Sequence, residues 1–519
     1  MNAKKNTYYN LIKNFSILTV CAAMLSNALV FGQNASPPEQ LKNIDSYIEK
    51  GIIDWQVPGL SIAVIKDDKI VYAKGYGVRE IGKTERVDEK TLFAVGSVTK
   101  SFTAAGVGLL IDEKKTVLDE PVVKFLPAFK LFDENLTQSA TVRDLLAQRT
   151  GLPRANASLL IGYDRNETLR RMQFLKPVAP IRSQFTYQNQ MYLALGLMTE
   201  QVAKTNWDDF VRQRLFAPLK MTTSNTSVNA LKNERNVAQP HAIIQNKPQV
   251  LPYRSIDSYA PAGAINSNAI ELANWVRMFL NKGKFEEKQI LSPQMVRIMT
   301  AQQTVIPVSP FTEKLTPTTH FQGYGMGWFV RDYRGRKVVE HGGNVDGMTA
   351  QIGMLPEENL GIVILSNLDS GSFPSALMYR VFDSFLGDAD KQIDLSAEYM
   401  KLVKQGEAQQ STQEKELAAK RDVNSKSALP LEQYAGTYQN DLYGTAQVSF
   451  KDGKLYLKFN DAAQGELEHW EKDTFRLIWN NPFYVQAVGK TPITFQIENG
   501  KITELKAQNL ADYKRFGAN

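Results

Sequence analysis

Apolar and polar positions alternate through "GLSIAVIKDDKIVYAKGYG" (Gly59–Gly77), with a break at Asp67–Asp68. That pattern predicts a β-hairpin. "TLFAVGSVTKSFTAAGVGLLIDEKK" follows as an apolar helix ending in charges, and "TVRDLLAQRTGLPR" (Thr141–Arg154) as a helix closed by Gly151 and Pro153. "APAGAINSNAIELANWVRMFLNKG" (Ala260–Gly283) reads as a small-residue loop and then an amphipathic helix. Asn268 is its predicted N-cap, with Glu271 as capping-box partner. "YGMGWFV", "KVVEHGG", "MTAQIGMLP" and "LGIVILSN" then predict closely spaced strands between Tyr324 and Asn367. Strands, many helices and strands again predict an α+β fold whose two ends share one antiparallel sheet.

The pattern changes over residues 391–428, which are charged and weakly periodic and read as a linker or a solvated helix. From residue 429 to 519 alternation returns. Asp452–Gly453 and Asn499–Gly500 each sit between alternating runs, the strongest short hairpin signal. This unit is expected to be a small antiparallel sheet or barrel.

At the other end, Lys4, Lys5 and Lys13 precede the apolar run "ILTVCAAMLSNALVFG". Basic region, short apolar core and small residues at the cut make a secretory signal, with Val30 and Gly32 at positions −3 and −1 and residues 1–32 removed. An uncleaved anchor would want a run of ~20 residues. Export to the periplasm or medium of a bacterium is therefore expected. Cys21 is the single cysteine, so the mature chain would have no disulfide and no thiol chemistry.

The 519 residues exceed one compact core. The expected division is a leader (1–32), a main domain (38–390), a charged linker (391–428) and a β unit (429–519). The net charge of +7 is modest, and no basic block interleaves with aromatics, which argues against nucleic-acid binding.

Ser97 and Lys100 stand three apart, on one face of a helix. Serine needs a nearby base to attack a carbonyl, and a desolvated lysine can shed its proton near neutral pH. Gly96 would let the helix begin at Ser97, beside its positive end. Taken alone, a serine cap with a snorkelling lysine explains the pair more simply. Tyr187 and Asn189, in "TYQNQ", are two apart and can face one site from an extended segment. An ordinary buried tyrosine and turn asparagine are the simpler reading of that piece. "EHGGNVDG" brings His341 beside Gly342 and Gly343, where paired glycines admit a ligand backbone, or form a plain bulge.

Together, and in this order, "SVTK", "YQN" and "HGG" resemble the serine β-lactamase and penicillin-binding protein superfamily, and within it the class C β-lactamase-like branch. "LLAQRTGLPR", "PAGAINSNAIELANW", "YGMGW" and "IVILSN" look like the family's flanking stretches, so the resemblance covers roughly residues 40–390. It implies a β-lactamase-like sheet flanked by helices with an all-helical subdomain. It also implies Ser97 as acylated nucleophile, Lys100 as its activator and Tyr187 as proton shuttle, with the choice of base between Lys100 and Tyr187 open. Asn189 would hold the substrate amide, and His341 and Gly343 would lie in the substrate-binding triplet. The backbone N–H groups of Ser97 and Asn344 would form the oxyanion hole, each donor worth roughly 3–4 kcal/mol. No cofactor or metal is implied. The final β unit resembles a lipocalin-like domain found on some members, with packing, narrowing of the active-site mouth or oligomer formation as its open roles.

Two departures matter. His341 stands where β-lactamases keep lysine, which should weaken recognition of a substrate carboxylate. "QRTG" replaces the usual H-T-S-G, in a loop expected to be structural. The leading expectation is an exported serine hydrolase of peptides, amides or esters, D-amino-acid peptides of the cell wall among them. A β-lactam-binding sensor that acylates and releases slowly, and a non-catalytic scaffold, are the competing ones.

Overall fold

The structure is a computed structural model that describes residues 37–155, 162–369, 372–387, 392–481, 484–485, 488–508 and 510–516. The leader expected over residues 1–32, with Cys21, lies outside them.

Eight antiparallel strands form the main sheet: β1 (Gly59–Lys66), β2 (Lys69–Gly77), β3 (Thr304–Ile306), β4 (Gln322–Tyr324), β5 (Phe329–Tyr333), β6 (Arg336–Val345), β7 (Met348–Leu355) and β8 (Leu360–Ser366), in the order β2-β1-β8-β7-β6-β5-β4-β3. The first hairpin therefore pairs with the last strand, through Leu60↔Ser366 to Lys66↔Leu360. Asp67 and Asp68 take φ of 50° and 62°, the left-handed pair that a tight hairpin turn demands. β7 and β8 are buried at every position. Strands covered on both faces read as unbroken apolar runs, which is how "IVILS" appears in the sequence.

One face carries α1 (Ile44–Asp54) and α5 (Ser372–Leu386), packed through Ile48, Phe373 and Leu377 onto Ile62 and Ile364. The other carries α2 (Thr99–Asp112), α3 (Asn189–Ala203) and α4 (Ala269–Leu280). α2 is the central helix, with all residues from Thr99 to Leu110 buried. Phe102 stacks on Trp275 of α4 at 3.8 Å between ring centres, and Trp275 Nε1 donates to Ser101 Oγ at 3.0 Å.

Several local expectations need correction. The apolar helix expected from Thr91 begins only at Thr99, after a two-residue strand at Phe93–Ala94 and a 3-10 turn at Gly96–Val98. The helix in Thr141–Arg154 covers Val142–Leu146 alone, because Gln148 already turns into the left-handed region at φ 55°. Asn268 does cap α4, accepting from Glu271 N at 2.9 Å, but the Glu271 carboxylate reaches Thr223 and Ser224 instead of closing a capping box. Those amide and hydroxyl donors outcompete the single N-cap amide.

Residues 395–420 form one long helix, α6 (Leu395–Lys420), exposed beyond its first turns. Eight strands from Gly436–Asn440 to Ala511–Arg515 then close into an antiparallel barrel. Tyr434, Tyr438, Phe475, Trp479, Phe495 and Tyr513 form its packed core. The loop after the first barrel strand sets Leu442 and Tyr443 against a helical lobe that includes the short helix Arg165–Arg171, where Arg171 Nη1 donates to Asp441 O at 2.6 Å.

Candidate active site

The chain enters α2 through a tight turn. Gly96 has φ +52°, a conformation glycine adopts without strain, and Gly96–Val98 form a single 3-10 turn ahead of the helix. Ser97 is thereby held at the helix's N-terminal end, partly exposed. The face of α2 behind it is strapped to the small-residue segment before α4, which was expected to be a loop and instead forms a one-turn helix at Ala260–Gly263. Ile265 N donates to Thr99 Oγ1 at 3.1 Å, Lys100 Nζ to Ala262 O at 2.8 Å and Thr103 Oγ1 to Pro261 O at 2.6 Å.

Lys100 is fully buried, with Nζ also 3.0 Å from Ser97 Oγ and 2.8 Å from Asn189 Oδ1. Desolvation, helped by the nearby Arg154 charge, holds its pKa well below the ordinary lysine value. The chemistry of the three neighbours is unequal. The Ala262 carbonyl and Asn189 Oδ1 can only accept, whereas a hydroxyl can also donate. A neutral amine satisfies all three by giving two hydrogens to the first pair and offering its lone pair to the Ser97 proton.

Tyr187 completes the group. Lys100 Nζ lies 4.8 Å from its ring centre, and the Ser97 hydroxyl is near enough to its phenol to act on the phenol's pKa. Burial raises the phenol's pKa, only partly opposed by the Ser97 hydroxyl and the Arg154 charge, so the proton stays on oxygen. The segment is extended at Gln188, with φ −141° and ψ 134°, and enters α3 at Asn189. Side chains therefore alternate. Tyr187 and Asn189 face Ser97 and Lys100, while Gln188 and Gln190 donate to Pro153 O and Ala155 O.

β6 forms the opposite wall. Its pairing with β5 ends at Phe329↔Glu340, but its pairing with β7 continues to Val345↔Met348. His341–Val345 thus keep one edge unpaired by β5. That stretch is pressed against the nucleophile's turn: a Cβ on Gly343 would fall 2.0 Å from Val95 O and 2.8 Å from Ser97 N, and one on Gly96 would fall 2.7 Å from Asn344 N. The Asn344 side chain is exposed and donates to Thr349 Oγ1 at 3.0 Å.

His341 is 1% exposed, behind the wall. Its Nδ1 lies 2.7 Å from Gly342 O, which can only accept, so Nδ1 carries the hydrogen and Nε2 accepts from Tyr324 at 3.1 Å. Burial, and then the Lys100 charge, lower its pKa to about 3. The ring is neutral at working pH and packs among Tyr187, Tyr324 and Phe329.

The structure brings Ser97, Lys100, Tyr187, Asn189, Gly343 and Asn344 around one site and puts His341 immediately behind it. Sequence reasoning missed three contributors. Ala262 acts through its carbonyl, which no side-chain motif announces. Gln148 bonds the backbone of Gln188 and was visible only as a departure from the family pattern. Arg154, exposed, sets its guanidinium 5.2 Å from the Tyr187 ring centre, and its position two residues beyond Leu152 was the available signal.

The Beta-lactamase family model matches residues 44–382, and a second model, described as a domain of unknown function (DUF3471), matches residues 420–517. Unguisins hydrolase ungD of Aspergillus violaceofuscus is 27% identical over 482 residues, 85% of this chain and 84% of that protein. Protein flp of Staphylococcus aureus strain MRSA252 is 26% identical over 341 residues, 64% of each chain. Among solved structures, one titled as the octameric penicillin-binding protein homologue from Pyrococcus abyssi superposes with a TM-score of 0.61 at 24% identity, covering 91% of this chain and all of that one. That likeness is one of fold. With the family model spanning most of the chain and the same fold in that homologue, the chain belongs to the Beta-lactamase family of serine hydrolases and penicillin-binding-protein-like folds.

Proposed function

We propose that this protein is an exported hydrolase of the class C β-lactamase-like type that cleaves peptide, amide or ester bonds through an acyl-enzyme on Ser97, with D-amino-acid peptides of the cell wall as a candidate substrate class. The observation that carries the reading is the buried Lys100 amine, bonded to two accept-only oxygens and to Ser97 Oγ.

In the first step neutral Lys100 takes the Ser97 proton as Oγ attacks the substrate carbonyl, forming the C–O bond and placing charge on the carbonyl oxygen. The Ser97 and Asn344 amides receive that charge beside the positive end of α2. The Tyr187 phenol then gives its proton to the leaving nitrogen or oxygen as that bond breaks, and is reprotonated from Lys100. A water molecule hydrolyses the ester by the same route in reverse. Burial favours the protonated phenol of Tyr187, so a proton is present there to donate, and the neutral amine of Lys100, so a lone pair is present there to accept. The free edge of β6 offers main-chain groups to an extended substrate, and Asn189 an amide contact. His341, neutral and buried, supplies no cation for a substrate carboxylate, which favours esters and neutral amides over β-lactams. The name of the fungal relative, a hydrolase, is in line with this reading.

The test is fluorophosphonate labelling read by intact mass, with turnover measured on nitrocefin, a p-nitrophenyl ester, a D-Ala-D-Ala peptide and a D-amino-acid amide. One adduct on Ser97, lost together with all turnover in Ser97→Ala, is the expected result. An unlabelled wild type, or Ser97→Ala that still turns over, refutes it. A penicillin adduct that persists for hours without turnover of any substrate would mark a sensor instead.

A further inference from the structure

Gln148 is fully buried in the loop after the short helix Val142–Leu146, in a left-handed backbone conformation at φ 55°. Its side-chain amide makes a two-point pair with the main-chain N–H and C=O of one residue: Gln188 N donates to Oε1 at 2.7 Å, and Nε2 donates to Gln188 O at 2.9 Å. Its own carbonyl accepts from Thr186 N at 2.9 Å. The residues on both sides of Tyr187 are therefore bonded to Gln148, and no bond from Gln148 goes to Tyr187 itself. Gln188 is also the last extended residue before α3, so the orientation of its peptide sets where Asn189 begins the helix.

The clamp is itself anchored. Asp144, two residues before Leu146, is buried and pairs with Arg149 at 2.7 Å and Arg182 at 2.7 Å. Arg182 N donates to Arg149 O at 2.7 Å, joining the start of the Tyr187 segment to the Gln148 loop. An apolar residue of equal length would fill the same space but would leave the Gln188 amide and carbonyl without partners in a buried place.

We propose that Gln148 is a positioning residue for the reaction: its side-chain amide serves as a rung of β-ladder that fixes the two peptides flanking Gln188 and with them the placement of Tyr187 and Asn189 about Ser97 and Lys100. The proposal rests on the roles given above to Ser97 and Tyr187. It assigns the "QRTG" loop, expected to be structural, a direct hold on the reacting geometry. A displacement near 1 Å of a catalytic group costs up to about 100-fold in rate.

The experiment uses the full chain and four proteins: wild type, Gln148→Met, Tyr187→Phe and the double variant. Ser97 labelling by a fluorophosphonate and turnover of a p-nitrophenyl ester are measured in each. Gln148→Met is expected to slow both by roughly 10- to 100-fold with KM changed less than kcat, and to add less in the Tyr187→Phe background, where only the placement of Asn189 is left to lose. Wild-type rates in Gln148→Met, or effects that simply multiply in the double variant, overturn the proposal. A wild type that does not label at Ser97 refutes the serine mechanism itself, a separate outcome. If Gln148→Met does not fold, Gln148→Glu decides. The protonated acid keeps both bonds to Gln188 and the carboxylate loses the donor. Its rate relative to wild type should therefore fall as pH rises, and a flat ratio overturns the proposal.

Discussion

Replacing Arg154 by alanine removes a positive charge from beside the proposed base. The guanidinium lies 5.2 Å and Lys100 Nζ 4.8 Å from the centre of the Tyr187 ring, so the two cations are at most about 10 Å apart. At that distance their repulsion is roughly 1.7 kcal/mol for an effective dielectric near 20 and roughly 0.4 kcal/mol in a water-like medium. Arg154 is exposed, so the smaller values apply more closely, which corresponds to about a 2- to 10-fold change in the protonation equilibrium of the amine. The sign is fixed. A neighbouring cation disfavours the protonated amine, so its loss raises the Lys100 pKa. Activity that needs the neutral amine then begins at higher pH. The assay is kcat/KM for an uncharged p-nitrophenyl ester from pH 5 to 9. Arg154→Ala should shift the acid limb upward by that amount, lowering the rate on the limb about 2- to 10-fold and leaving the plateau unchanged. Arg154→Lys should behave as wild type. Salt screens such a pair over a length of ~10 Å at 0.1 M, so raising it should bring wild type toward the variant. An acid limb that stays put, or moves to lower pH, refutes the assignment of Lys100 as the base.

Gly343→Ala places a methyl group 2.0 Å from the Val95 carbonyl, backbone against backbone. Ser97 labelling should be lost and urea-monitored stability reduced by roughly 2–4 kcal/mol. Wild-type labelling and stability would show that β6 does not press on the turn. His341, held neutral with a pKa of about 3 against 6.5 when unfolded, contributes stability that is complete above pH 6.5 and is lost as pH falls toward 3. About 3 kcal/mol should disappear between pH 6.5 and 4, and His341→Gln should show a flatter dependence in urea titrations. Equal slopes for the two proteins would overturn that account.

The parts of the fold legible in the sequence were those that local periodicity or a short turn decides. Asp67–Asp68 announced its own hairpin, and two-sided burial of β7 and β8 left runs of aliphatic residues that read directly as strands. Ser97, Lys100, Tyr187 and Asn189 stood out in combination, since each short-spaced pair alone has a simpler structural reading and their joint order in the chain is what resembles a family. Groups supplied by distant segments were not legible. Glu271 looked like a capping-box partner until Thr223 and Ser224 proved better donors. The carbonyl of Ala262 has no signature at all, and nothing in "LLAQRTG" tells that Gln148 meets a peptide forty residues later. Such pairings are tertiary, and a sequence pattern records only what neighbours along the chain require.

Helix α6 has a consequence for how this architecture can change. Its first turn is fastened to the hydrolase by Trp55 Nε1, which donates to Ser396 Oγ at 2.9 Å, and the residue after its last turn to the barrel by Arg421, stacked 4.4 Å from the Trp470 ring centre. A helix advances about 1.5 Å and turns about 100° per residue. One inserted residue would therefore swing the barrel through more than a quarter turn, away from Tyr163 and Arg171, where Tyr443 and Asp441 now meet the helical lobe. The linker works as a phase-setting spacer: its composition is free to drift, whereas its length is quantised by the helical repeat.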